Sequence, residues 1–319
     1  MHLLEQNLSN QSSIKQFLLL GLSDIHELQV LHFILFLVYY VVAVGGNLLI
    51  ITAVLTDHRL HNPMHFFLVN LAIQDVGQIS VIVPKSMANS LMGSRQISYS
   101  GCVAQVLFFL FFGASDFFLL TVMAYDRYVA ICNPLKYEML MNKQACLQMI
   151  IIVWLSSFLY AVLHTGGTFA SPFCSNIVNQ FFCEIPHLIK LTCSNLYLTE
   201  IDLLLLTAVA VVGCFVFIIV TYVYIFNAVL KIPSVQGRQK AFSTCLPHLI
   251  VVSLLVLTGC SVYIKPPSNS PSYLDLTMTI LYSMFPPLMN PIIYSIRNKG
   301  IKKAVFKVWG LRCLLVNSF

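Results

Sequence analysis

Charge is what this sequence has least of. Asp, Glu, Lys and Arg make up 9% of its 319 residues, against about 25% in a soluble globular protein. Hydrophobic residues reach 58%. A soluble domain cannot hide that much apolar surface, so the composition points to lipid as the main solvent. Length alone would suggest about two soluble domains; the scarcity of charge argues for one membrane domain instead. Catalytic signatures are missing too. There is no H-E-x-x-H, no G-x-S-x-G and no phosphate loop, which leaves no case for an enzyme. The ten cysteines form no C-x-x-C pair and the nine histidines show no metal spacing, so a zinc site is not expected. The net charge of +6 gathers on no face suited to nucleic acid. Residues 1–27 lack a basic leader followed by an apolar core. A cleavable signal peptide is therefore not expected, and the first apolar segment is expected to direct its own insertion.

What is present is a series of apolar segments, at roughly 28–54, 63–86, 101–126, 145–168, 200–229, 242–264 and 275–296. Each is near or above the ~20 residues a helix needs to cross a bilayer. The second is the least clean, with Asp75, Pro84 and Lys85 inside it or at its end. The pattern predicts an all-α membrane protein, a seven-transmembrane helix bundle over residues 28–296. Residues 1–27 form a tail before it, and 297–319 a short amphipathic helix and tail after it. An odd number of crossings puts the two ends on opposite sides. Of the 18 lysines and arginines, 13 fall on the side of the carboxyl terminus and only Lys15, Lys85, Arg95, Lys190 and Lys265 on the other. That bias places the amino terminus outside and the carboxyl terminus in the cytosol. Two sequons, Asn7-Leu8-Ser9 and Asn10-Gln11-Ser12, agree, with Asn7 and Asn10 as glycan acceptors on an extracellular tail. Beyond the last span, Lys302, Lys303 and Lys307 alternate with Ile301, Val305, Phe306 and Trp309, which suits a helix lying on an anionic cytosolic leaflet.

Polar groups inside the apolar segments are the next signal, because each is costly in lipid and marks a functional hypothesis. Asp75 stands in the second segment and Asp116 in the third. Two close carboxylates cannot easily both ionise, so such a pair shares a proton or holds a cation. Two protonated acids joining helices by hydrogen bonds is the plainer alternative. Asn47, in Gly45-Gly46-Asn47, can hydrogen-bond across helices where small residues allow close approach. The third segment runs into Met123–Leu135, M-A-Y-D-R-Y-V-A-I-C-N-P-L. Asp126 and Arg127 there form an opposite-charge pair at the membrane boundary, suited to a contact that is made in one state and exchanged in another. Near the end of the seventh segment, Pro291 is expected to free a backbone carbonyl that Asn290 can satisfy. Cys102, Cys174, Cys183 and Cys193 all fall on the oxidising side, which reads as two disulfides with three pairings open.

The strings themselves are more specific. M-A-Y-D-R-Y-V-A-I-C-N-P-L, Pro63-Met64-His65-Phe66-Phe67-Leu68, Lys240–Leu249 (K-A-F-S-T-C-L-P-H-L) and Pro286–Asn298 (P-P-L-M-N-P-I-I-Y-S-I-R-N) resemble the signatures of the odorant (olfactory) receptors. These are the large olfactory branch of the rhodopsin-like, class A, G-protein-coupled receptors. The resemblance covers nearly the whole chain. It departs at His65, where the family usually has Tyr, and at Pro247, where it has Ser. Gln180 stands where many members have a His linked to metal-assisted odorant binding. Leu255-Val256-Leu257-Thr258 replaces a sixth-span F-Y-G-T. His65 is expected to be an interfacial histidine with no ligand role, and neither Gln180 nor Glu184 alone makes a metal site.

The resemblance implies the rest. The disulfides would be Cys102–Cys183 and Cys174–Cys193, making the loop between the fourth and fifth spans a lid. Asp75, Asp116, Asn47 and Asn290 would hold a sodium ion in the inactive state; no other cofactor is implied. A ligand would sit among Phe109, Leu110, Gly113 and Ala114; Leu206, Thr207 and Ala210; Gly259, Cys260 and Tyr263; and Ile280 and Ser283. No acid lies in that set, so the ligand would be a small, neutral, largely hydrophobic odorant, with Tyr263 or Thr207 supplying one hydrogen bond. Asp126, Arg127, Tyr128, Tyr222, Lys240, His248, Asn290 and Tyr294 would form the switch that couples to a heterotrimeric stimulatory (olfactory) G protein and raises cyclic AMP. The protein would be a multi-pass plasma-membrane receptor of olfactory sensory cilia. Two other readings stay open. One is an ion- or proton-translocating membrane protein using Asp75 and Asp116 as a relay. The other is a receptor-like protein that does not signal, given the altered sixth-span motif. If the tail is extracellular, peptide N-glycosidase will lower the apparent mass of the expressed protein. Asn7→Gln and Asn10→Gln will each remove part of that shift.

Overall fold

A computed structural model describes residues 14–23, 25–193, 197–264, 273–297, 300–301, 303–305 and 310. Asn7, Asn10 and most of the expected terminal amphipathic helix lie outside the described residues. The bundle consists of α1 (His26–Thr56), α2 (Pro63–Met92), α3 (Tyr99–Cys132), α4 (Lys143–Ala170), α5 (Tyr197–Leu230), α6 (Val235–Ile264), α7 (Tyr273–Ser283) and α8 (Phe285–Arg297). The last two together make the seventh span. By length and composition, α1 to α4, the Leu205–Leu230 stretch of α5 and the Leu276–Ile293 stretch across α7 and α8 can each cross a membrane. In α6 the apolar stretch is His248–Val262.

The helices start where the sequence supplies caps. Asn62 accepts from the His65 amide, with Pro63 in the first helical turn where its missing N–H costs nothing. Ser98 accepts from Gly101 and Asn142 from Ala145. The sixth helix begins at Val235 rather than the predicted 242, because Ser234 accepts from the Gly237 amide at 3.0 Å and nucleates extra polar turns. At its far end α2 stops at Gly93, whose φ of 61° only glycine adopts readily. Gly77, in the middle of α2, is required for packing. A β-carbon there would meet the Phe112 ring of α3 at 2.4 Å.

α3 lies at the centre and touches α2, α4, α5 and α6, while α1 packs on α2 and α8. The lipid-type surface is the converse of this packing. Leu155, Leu159, Val209 and Val212 are all exposed, as expected of side chains that face an apolar solvent.

The seventh span is broken at Met284, and prolines explain how the break is stabilised. In a continuous helix the Ser283 carbonyl would accept from residue 287 and the Pro287 carbonyl from residue 291. Both donors are prolines and have no N–H. Side chains from other helices fill the gaps. Gln78 Nε2 donates to the Ser283 carbonyl at 3.0 Å, and Asn47 Nδ2 to the Pro287 carbonyl at 3.0 Å. Tyr39 donates to the Met284 carbonyl at 2.7 Å. The expectation that Asn290 serves the carbonyl freed by Pro291 is therefore corrected. Asn47 does so from the first helix, because Asn290 is turned towards α2.

One end of the bundle is closed by a cover. The segment between α4 and α5 is bonded to α3 through Cys102–Cys183 and closed on itself through Cys174–Cys193. Its strand β3 (Ile177–Val178) pairs in parallel with β1 (Gln16–Leu19), which also pairs antiparallel with β2 (Gln96–Ser98). β1 is thus the middle strand, and what the sequence reads as a plain tail is partly built into the fold. Phe17 is fully buried there, edge-on to Phe173 at 5.3 Å. Gln105 of α3 accepts from the Cys183 amide at 2.8 Å and donates to the Val81 carbonyl at 3.0 Å, fixing the cover, α3 and α2 at one point. Replacing Asn47 with Leu would strand the Pro287 carbonyl in an apolar setting, at a cost of about 1–3 kcal/mol. The expected outcome is a lower thermal-unfolding midpoint for the detergent-solubilised protein, which a thiol-reactive dye assay would measure.

Candidate functional site

α3 carries chemistry at both ends. Away from the cover, Asp126 and Arg127 lie close enough to interact electrostatically, and each also has a hydrogen-bond partner of its own on another element. Asp126, 2% exposed, accepts from the Tyr137 hydroxyl at 2.8 Å. Tyr137 lies in the short helical turn Tyr137–Leu140 that follows α3. Burial first, and then the adjacent Asp126 carboxylate, pushes the Tyr137 phenol up from its usual range, so it remains a donor. Arg127 turns the other way and reaches Met64 Sδ at the start of α2. His65, next to that contact, is 4% exposed. The histidine is buried against its neighbours in the first turn of α2, at the helix start that Asn62 caps.

The other switch candidates gather near this end. His248 of α6 bonds through Nε2 to the Leu120 carbonyl of α3 at 3.0 Å. It also stacks on Tyr222 of α5 at 5.6 Å. Tyr128 meets Tyr224 edge-on at 6.0 Å. These contacts join α3, α5 and α6. The side chains of Lys240 and Tyr294 lie outside the described residues.

In the middle of the bundle, Asn290 Nδ2 donates to both oxygens of Asp75, at 3.3 and 3.0 Å. Asp116 is in hydrogen-bonding contact with Asp75. Asn47 is also buried, with Nδ2 donating to the Ala43 carbonyl and to Pro287. Asp116 Oδ1, Asn47 Oδ1 and Asn290 Oδ1 are buried without a hydrogen-bond partner among the described residues. Hard oxygen donors of this kind fit a small hard cation. No group of three or more His, Cys, Asp or Glu side chains able to hold a metal occurs among the described residues.

Towards the cover, the expected ligand residues divide. Phe109 and Leu110 are buried, and Gly113, Ala114, Thr207, Gly259 and Cys260 are half-buried. Ser283 is buried, its hydroxyl donating to the Thr279 carbonyl at 2.6 Å. The Phe109 ring packs edge-on to Phe182 of the cover at 5.1 Å and to Tyr282 at 6.0 Å. Thr207 is held by His164 Nε2 of α4 at 2.8 Å. Leu206 is 65% exposed, Ala210 is also exposed, and Ile280 is 38% exposed; all three stand on outward faces. Leu206 misses the inward line by the one residue that separates it from Thr207. The Tyr263 side chain lies outside the described residues.

The cover adds groups that the sequence did not single out together. Glu184, 1% exposed, accepts from Tyr282 and lies 2.7 Å from His187 Nδ1. Gln180, which stands where the resemblance would place a histidine, bridges Glu184 and Thr279 at 3.5 and 3.0 Å. These contacts fasten the cover to α7. A small cleft of about 30 Å³, open to solvent, lies between residues 20–23, α1 and the end of α2, beside Arg95.

A family model described as olfactory receptor matches residues 36–311. The chain belongs to the olfactory receptor family. Human olfactory receptor 14A16 is 48% identical over 299 residues, covering 93% of this chain and 96% of that protein. Human olfactory receptor 14C36 is 48% identical over 300 residues, covering 94% and 96%. The crystal structure of squid rhodopsin superposes with a TM-score of 0.70 at 18% identity, over 91% of this chain and 88% of the other, which shows the rhodopsin-like seven-transmembrane fold. The protein is accordingly a multi-pass G-protein-coupled receptor and not an enzyme. Membership of this family implies odorant ligands and G-protein coupling.

Several contact residues of the receptor escaped the sequence reading because each depends on a distant partner. Tyr137 is an ordinary loop tyrosine until Asp126 is beside it. His164 and Gln105 look like polar interruptions of apolar helices until Thr207 and Cys183 are placed. The usable signal was the general one, that polar groups in lipid need partners. Tyr137→Phe removes the donor to a buried carboxylate, worth about 1.5–3 kcal/mol for a charged acceptor. The expected outcome is faster amide hydrogen exchange across residues 133–142, with exchange in β1 unchanged.

Proposed function

We propose that the receptor binds a small, neutral, largely hydrophobic volatile among the inward faces of α3, α5, α6 and α7. Binding activates the olfactory stimulatory G protein and raises cyclic AMP. The observation that supports this most is the character of the inward face. Phe109, Leu110, Gly113, Ala114, Gly259 and Cys260 bring no charge, and Thr207 and Ser283 are its described hydroxyl groups. A charged ligand would lie there unpaired. A neutral apolar one gains about 25 cal/mol for each Å² it buries, and one or two hydroxyls orient it. Leu206, Ala210 and Ile280 are left out of this set, since they face outward.

In this reading the covered end is extracellular and the Arg127 end cytosolic, in the plasma membrane of olfactory sensory cilia. Residues 1–27 are the outer segment, 28–296 the receptor domain and 297–319 the cytosolic helix and tail. Ligand binding favours a packing in which α3, α5 and α6 separate at the cytosolic end. Asp126, Arg127, Tyr128, Tyr222, Lys240, His248, Asn290 and Tyr294 re-pair, and a helix of the G protein enters against Arg127. A sodium ion suits the oxygens of Asp75, Asp116, Asn290 and Asn47, where it would compensate carboxylate charge in the inactive state.

Arg127→Ala is expected to reduce odorant-evoked cyclic AMP to background in a cell reporter assay, with surface density by flow cytometry retained. Unchanged signalling in that variant would remove Arg127 from the switch. A ligand-independent current that Asp75→Asn abolishes would favour an ion-translocating protein instead. Silence of the wild type across a diverse volatile panel, despite surface delivery, would favour a receptor-like protein that does not signal.

A further inference from the structure

Gln78 of α2 stands among the ligand-face residues without belonging to the helices expected to supply them. It is 4% exposed. Its amide orientation is fixed by chemistry. The Ser283 carbonyl has lost its helical donor to Pro287 and can only accept, so the Gln78 NH₂ group must face it, and does at 3.0 Å. The amide oxygen is then forced to the other side. There Oε1 is buried with no hydrogen-bond partner. It points towards Gly113 of α3. Its chain neighbours and own helix backbone aside, a β-carbon built on Gly113 would meet only Gln78 Oε1, at 3.9 Å. The missing β-carbon of Gly113 therefore leaves space for about one carbon atom beside a buried acceptor that lacks a donor.

Such an oxygen has lost its water and gained nothing, a cost that any incoming O–H or N–H group removes. A ligand offering only an acceptor would set its lone pairs against those of the amide and leave both unsatisfied. We propose that Gln78 is a specificity-determining residue that selects odorants carrying a hydrogen-bond donor, aliphatic alcohols foremost, through the space at Gly113. The assignment rests on the odorant-binding reading above and narrows its ligand class from neutral volatiles to neutral donors. Thr207 cannot supply the same discrimination. A hydroxyl both donates and accepts, so it tolerates either kind of ligand. The amide oxygen accepts only.

The test uses the full-length receptor in a cyclic AMP reporter assay with matched probes. These are the straight-chain alcohols from hexanol to decanol and methyl alkyl ethers of equal heavy-atom count. The wild type is expected to respond to at least one alcohol at a concentration about tenfold below its matched ether. Gln78→Met, which keeps the side-chain length and removes the acceptor, is expected to bring that ratio close to one. Because Gln78 also serves the Ser283 carbonyl, this variant can fail to reach the surface. Gly113→Ala then decides, since it leaves Gln78 intact and fills that space, and it is expected to weaken alcohols more than ethers. A wild type that responds to volatiles but shows no alcohol preference overturns the assignment and leaves the odorant reading standing. So does a preference that survives in Gly113→Ala and in any Gln78→Met that reaches the surface. A wild type at normal surface density that is silent to these probes and to a diverse volatile panel overturns both.

Discussion

A backbone carbonyl in lipid must find a donor inside the protein, and this receptor has placed two where its own helix cannot provide one. Pro287 and Pro291 remove the donors for Ser283 and Pro287, and amides from α2 and α1 supply replacements. Much of the bundle follows from that substitution. Asn47 and Gln78 must lie opposite the seventh span, which sets how α1 and α2 face it. With Asn47 committed there, Asn290 is left to bind Asp75, and the acid pair at the centre is assembled. The break at Met284 is tolerated for the same reason, since irregular backbone at membrane depth survives only where protein side chains complete it.

α3 converts this arrangement into a device with two ends. Near the cover it is held by Cys102, bonded to Cys183, and by Gln105, which links the cover to α2. At the far end it is held by Asp126 to the loop that follows it and by Arg127 to the start of α2. Between these anchorages, Phe109 to Ala114 line the region where an odorant is proposed to bind, and His248 ties α6 to the Leu120 carbonyl. The side-chain partners of Asp126 and Arg127 lie on different elements. Motion of the loop that follows α3 and motion of α2 therefore bear on separate halves of the motif.

The architecture was largely legible before any coordinates, because apolar length and charge bias act along the chain and need no partner to be read. The family strings carried the disulfide pairing, and the structure forms both bonds. What escaped were pairings across helices. Side chains one residue apart on a helix differ by about 100° in direction. That put Leu206 on the outward face, although Thr207 faces His164. Asp126 and Arg127 also each acquire a partner on another element, Tyr137 and Met64, that adjacency in sequence does not reveal. The helix start at Val235 was missed because the apolar run begins later, whereas the cap at Ser234 is a local hydrogen bond that hydrophobicity does not register. Gln78 was passed over because nothing in its own neighbourhood says that Pro287 lies opposite.

The middle strand of the cover has a consequence for how the receptor is made. β1 emerges from the ribosome near the beginning, but the segment carrying its partner β3 comes far later. Asn176 reaches back to Gln16 across 160 residues. At synthesis rates of ~5–20 residues per second, that is a wait of roughly ten to thirty seconds. β2 can pair one edge of β1 earlier, but until β3 is made the other edge stays open, and Phe17 and Leu19, both buried in the finished fold, lack Phe173 and Val178. An apolar strand with unpaired edges is a template for the wrong partner. For this receptor the hazardous interval of biosynthesis therefore belongs to β1, and it ends only when the fourth helix and the loop beyond it have been made.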